Sequence, residues 1–190
     1  MTVRRLVSAL RRRHRAFAAH QQGTSVVEFA LLLPLMLTMY FGSIEVTDAI
    51  SADRQITLVA GTVADIAAQY QTVTVTDVNN ILAAASAVLA PFSVANVKVT
   101  LSSVQIDANG NATVDWSATL HGSQRTGTVT NAIPTALRVA NTSVVWGEAT
   151  YAYKPVIGWV VTGTLNLANQ IFMRPRLSQC VKYTGVSTLC

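Results

Sequence analysis

The 21 residues from Thr24 to Ile44 carry a single charge, Glu28, and include Phe29, Leu31, Leu32, Leu33, Leu35, Met36, Leu37, Met39, Tyr40 and Phe41. At about 1.5 Å rise per residue, a helix of that length spans about 31 Å, close to the ~30 Å hydrocarbon core of a bilayer. Pro34 fits such a helix, because a membrane segment can kink and re-satisfy its backbone locally. The net charge of +5 is unevenly placed. Arg4, Arg5, Arg11, Arg12, Arg13 and Arg15 precede Gly23 with no acid among them, whereas the rest of the chain has eight Lys or Arg against nine Asp or Glu. An arginine-rich arm can bind phosphates. Placed directly before an apolar span, it instead marks the cytoplasmic side, so the N-terminus is expected inside and the chain after about Val46 outside. No nucleic-acid partner is expected.

A secretory signal peptide shares the basic start and the apolar core. This run is longer than the roughly 7–15 residues of a signal core, and no A-x-A site follows it. The next stretch, SIEVTDAISADRQ, is polar and helix-like. Glu28 also argues for a specific use, since a carboxylate in a membrane helix costs roughly 2.5–3.5 kcal/mol at the centre and less toward the interface.

Glu28 is the fifth residue after Gly23, which ends the polar leader. The string GTSVVEF resembles the class IVb prepilin processing motif, in which a prepilin peptidase cuts after glycine and glutamate takes the fifth mature position. The longer GTSVVEFALLLPLML is similar to TadE-like pseudopilins of tight-adherence (Flp) pilus systems. That resemblance implies a processing site of Gly23, Thr24 and Glu28. Cleavage would free the Thr24 ammonium four residues before Glu28, on the same helix face. The carboxylate could then pair with that ammonium or a neighbouring subunit's, offsetting part of the burial cost of both charges.

Beyond the span, Ile56, Val59, Val63, Ile66 and Tyr70 recur at spacings of three and four, with Asp53, Arg54, Asp65 and Gln69 opposite. This predicts a helix packing an apolar stripe on a domain. A second helix is predicted with Thr76 as N-cap, Ile81, Leu82, Ala85, Val88 and Leu89 on one face, and Pro91 past its end. The period then becomes two. Val97, Val99 and Leu101 alternate with polar residues, and the parity shifts to Val104 and Ile106 after Ser102-Ser103, as a bulge would produce. Ala112, Val114, Trp116, Ala118 and Leu120 form one alternating face, with Thr113, Asp115, Ser117 and Thr119 turned away. Between these runs, Asn109-Gly110 signals a hairpin whose two residues both accept positive φ. Asp107, Asn109 and Asn111 alternate as in a calcium loop, but Ala118 stands where the bidentate glutamate belongs, so the segment reads as a turn. A third strand covers Val145 to Tyr153. The stretches ATYAYKPVIGW and FMRPRLSQC, with Tyr151, Tyr153, Pro155, Arg174, Pro175 and Arg176, also resemble the C-terminal part of TadE-like proteins.

Cys180 and Cys190 are the only cysteines. Outside the cytoplasm the pair reads as one disulfide, with pairing between chains as the alternative. A metal reading lacks ligands, since His14 and His20 lie in the leader and His121 is remote. No nucleophile elbow, metalloprotease helix, phosphate loop or dinucleotide turn is present, so neither enzymatic activity nor a cofactor is expected. Trp116, Trp146 and Trp159 could line a sugar site but read as core.

The expected architecture is α+β: a transmembrane helix continuing into a long amphipathic helix, packed with a small antiparallel-sheet periplasmic domain. Residues 1–23 would be a cleaved basic leader, 24–46 the membrane helix and 47–190 the extracytoplasmic domain. The resemblance implies a minor pilin-like subunit of the bacterial inner membrane. Its partners would be the prepilin peptidase, other pilin subunits with the assembly platform, and the lipid bilayer. The alternative is an uncleaved single-pass anchor whose periplasmic domain binds a ligand or envelope component.

Overall fold

The computed structural model describes residues 22–155, 158 and 162–190; the arginine leader and Trp159 lie outside the described residues. The fold is α+β, as expected. Helix α1, Gln22–Ala68, runs unbroken for 47 residues through Pro34. Strand β1 (Thr72–Val73), helix α2 (Val75–Leu89) and strands β2 (Val97–Ile106), β3 (Ala112–Leu120), β4 (Thr142–Tyr153), β5 (Leu165–Met173) and β6 (Lys182–Tyr183) follow. Strands β2 to β5 form an antiparallel sheet in the order β3-β2-β4-β5. The short β1 and β6 pair in parallel beside it.

The domain end of α1 buries Ile56, Val59 and Val63 as the spacing predicts, but alanines widen the stripe: Ala52, Ala60, Ala64, Ala67 and Ala68 are also fully buried. Small side chains let the helix lie close to β4. At Gly147 a Cβ would overlap the Ala60 carbonyl oxygen and sit 3.0 Å from the Ala64 Cβ. Helix α1 ends at Ala68, so Tyr70 belongs to the following turn, where it packs against the core.

The cap of helix α2 lies two residues before the expected one. Thr74 is the N-cap and forms a capping box with Asp77, whereas Thr76 lies inside the first turn. Asp77 decides this: only from the third helical position can its carboxylate accept the Thr74 amide (2.8 Å) while Thr74 Oγ1 accepts the Asp77 amide. Val78, Ile81, Leu82, Ala85 and Leu89 are buried, and Val88 packs at the margin.

Two corrections concern the sheet. The parity shift in β2 is not a bulge in that strand, since its pairing with β4 is regular from Val97↔Tyr151 to Ile106↔Thr142. The strand instead buries opposite faces along its length. Val97, Val99 and Leu101 join the core against the helices, whereas Val104 and Ile106 join a second core on the other face with Ala112, Ile133, Val144 and Trp146. The bulge lies in β3, where pairing steps from Ser103↔Trp116 to Val104↔Val114 and leaves Asp115 as the extra residue. The expected single face of β3 is therefore split. Ala112 and Val114 serve the second core, and Trp116, Ala118 and Leu120 the first.

Candidate functional site

The expected site is the start of α1. Gly23 and Thr24 have helical backbone, and Glu28, four residues after Thr24, is exposed. Glu28 makes no hydrogen bond or ion pair within the described residues. Around it Val26, Phe29 and Leu31 are 67, 59 and 74% exposed, and Leu32, Leu35, Met36, Met39 and Tyr40 are likewise uncovered. A helix with its apolar side chains in the open on all sides is not a core helix. The stretch from Ser25 is long and apolar enough to cross a membrane. Pro34 removes one N–H from the ladder, and Thr38 Oγ1 donates to the Pro34 carbonyl at 2.7 Å, keeping a hydroxyl that would face lipid satisfied.

The bare segment ends at Gly42, where burial begins, and Glu45 is the first buried carboxylate at 2% exposure. Tyr153, at the end of β4, faces this neck. Burial pushes its hydroxyl pKa up, and the negative charges of Asp48 and Glu45 push the same way. In the sequence Glu45 is marked only by its place, an acid where the apolar run gives way to the domain. The outward side of this part is not wholly polar, because Val46, Ile50 and Leu58 are 46, 49 and 56% exposed.

The grip between α1 and the sheet is polar at its margins. Asn169 Nδ2 donates to Asp53 Oδ1 at 3.0 Å, and Arg176 forms an ion pair with Asp65. The spacing predicts that both acids face away from the domain. They instead meet β5 and the segment after it, because β5 packs along the flank of α1.

The C-terminal segment from Arg174 returns over the domain and is fastened at several points. The Arg176 amide donates to the Ala68 carbonyl, β6 pairs with β1, and Trp116 Nε1 donates to the Val181 carbonyl at 2.7 Å. Asp115 Oδ1 accepts the amides of Thr188 and Leu189, each at 2.8 Å. Cys180 and Cys190 form a disulfide with a Cα–Cα distance of 6.1 Å. The bulge thus gives Asp115 its use, turning a carboxylate toward the returning tail. Trp116 and Trp146 are both 2% exposed and belong to the two cores. Arg125 donates from Nε and Nη2 to the Glu148 carboxylate at 2.9 and 2.6 Å while lying 5.1 Å over the Trp146 ring. The turn at Asp107–Asn111 is built by Asp107 Oδ1, which accepts the Asn109 and Asn111 amides, with positive φ at Gly110 alone. Asn109 does not share it, which corrects the expected two-residue form.

Comparison with known families finds that residues 23–65 match the family of TadE-like proteins. The match covers the bare apolar part of α1, the neck and most of the buried alanine stripe, and stops before the domain's strands. No curated protein and no solved structure matches the chain.

Proposed function

We propose that this chain, TadE-like over residues 23–65, is a minor pilin-like (pseudopilin) subunit needed for assembly of a tight-adherence type IVb pilus. The reading rests on one observation: the TadE-like stretch coincides with an apolar helix that is bare around Glu28 and continues without a joint into a folded domain. A filament built from such subunits needs both parts, an apolar rod to pack among its neighbours and a head to display. In this reading residues 1–23 are a leader facing the cytoplasm, 24–46 span the bacterial inner membrane and 47–190 form the periplasmic domain. A prepilin peptidase cuts between Gly23 and Thr24, and Glu28 pairs with a terminal ammonium during docking. Removing two unpaired charges from an apolar medium supplies the driving force. The exposed Val46, Ile50 and Leu58 extend the apolar rod surface toward other pilus subunits.

The deciding experiment is the intact mass and N-terminal sequence of the membrane-bound protein, with and without its peptidase. A terminus at Thr24 only when the peptidase is present is the expected result. A terminus at Met1 or Thr2 in both samples overturns processing and leaves an uncleaved anchor.

A further inference from the structure

The topology brings the connection between α2 and β2, residues 90–96, to the end of the head next to the bare helix. Asn169 meets Asp53 and Arg176 meets Asp65, so β5 runs in the same direction as α1. Strand β4 runs against β5 and ends at Tyr153, and β2, antiparallel to β4, begins at Val97 opposite Tyr151. Helix α2 packs back along α1 and delivers the chain to that same end. Aromatic contacts then fix the height of the connection. The Phe92 ring lies 6.2 and 6.4 Å from those of Tyr151 and Tyr153, and the charges of Asp48 and Glu45 act on the Tyr153 hydroxyl.

A bilayer with a ~30 Å core and about 40–45 Å overall has a headgroup layer of about 5–7 Å on each side. With residues 24–44 filling the core, that layer takes in about four more residues of the helix. Those residues are Glu45 to Asp48, the ones that face Tyr153. Because α1 is unbroken, it holds residues 90–96 at headgroup height and cannot tilt them away.

The chemistry of the connection suits that depth. Its sequence, APFSVAN, carries no charge. Pro91 is exposed, Val94 is 38% exposed, and Phe92 is half-buried against the core. Lys98 and Lys154 flank it, both exposed and neither in an ion pair among the described residues. Of the acids nearby, Glu45 is buried and Glu148 is tied to Arg125, which leaves exposed Asp48 against the two lysines. Apolar side chains bordered by free cations match a surface that is apolar within and phosphate-rich at its rim. We infer that the underside of the head is a second membrane contact, in which residues 90–96 seat Pro91 and Val94 among phospholipid headgroups while Lys98 and Lys154 meet the phosphates. The inference rests on the membrane-spanning reading of α1 and is independent of processing and filament assembly.

The test uses the full chain in vesicles of phosphatidylcholine and phosphatidylglycerol. A single NBD fluorophore is attached in turn through Val94→Cys, Val139→Cys and Met36→Cys, the native cysteines being held in their disulfide. Val139, 44% exposed beside the start of β4, is the distal control, and Met36 is the control within the span. Lipids spin-labelled at the headgroup should quench position 94 and spare 139, and lipids labelled deep in the acyl chain should quench position 36. Combining Lys98→Gln with Lys154→Gln should weaken the quenching at 94. Unchanged quenching in that variant overturns the part given to the lysines. Equal quenching at 94 and 139, with 36 still quenched, overturns the contact and leaves the span standing. Loss of quenching at 36 as well overturns both. A blue-shifted probe at 94 that no spin-labelled lipid quenches means that protein covers the connection, and it too overturns the inference.

Discussion

Gly147 shows how much a missing side chain can contribute. It sits where β4 passes under α1, and any Cβ there would collide with the Ala60 carbonyl. Replacing it with valine should force helix and sheet apart and cost about 1–3 kcal/mol, read as a lower Tm in thermal denaturation with α1 otherwise intact. Thr74→Ala should cost about 1 kcal/mol through loss of the α2 cap. The same cap gives the domain an acid sensitivity. Hydrogen bonds from the Thr74 side chain and backbone hold the Asp77 pKa below the ordinary carboxylate range. A group depressed in the folded state stabilises above its unfolded pKa and loses that contribution as pH falls through the folded one. Wild type should therefore lose stability on acidification more steeply than Thr74→Ala, comparable by Tm against pH. Thr76 was the more visible capping candidate in the sequence. What it lacks is an acid three residues on, a spacing that Thr74 has with Asp77 in the sequence itself.

Among the elements, the long apolar helix was legible from its length and hydropathy, α2 from its helical spacing, and β2, β3 and β4 from stretches of alternation. Strand β5 was not. Its inward row reads Leu165, Leu167, Asn169, Ile171, Met173, and Asn169 breaks the alternation at the residue that bonds Asp53 across the interface. The β3 bulge was hidden for a related reason, since Asp115 falls on the polar parity of an apparently flawless run and its use becomes visible only once the tail returns. That tail makes its own prediction. Reducing the Cys180–Cys190 disulfide releases a short loop closed on itself, and the loop-entropy argument puts the loss at a little under about 3 kcal/mol. Hydrogen exchange at the Thr188 and Leu189 amides should accelerate on reduction, while exchange in β2 and β4 changes little. Equal acceleration everywhere would make the tail part of one cooperative unit.

For the molecule as a whole, the sequence disclosed the division of labour between an apolar rod and an α+β head, because charge and hydropathy separate them so sharply. It did not disclose the two-sided sheet, since opposite-face burial within a single strand leaves no regular period. The proposed function places the heaviest demand on Glu28. Glu28→Leu should leave the chain membrane-embedded, as judged by resistance to alkaline extraction, while lowering processing, assembly or both. Normal piliation with that variant would remove the glutamate from the mechanism.

The absence of a joint in α1 has a geometric corollary. An α-helix advances about 1.5 Å and turns about 100° per residue, so a single rod fixes both the height and the compass heading of the head relative to Glu28. One extra residue in the bare stretch would swing the head by about 100° while lifting it barely at all. In an array of such rods, the heading of every head would be dialled by the count of residues between the carboxylate and Gly42.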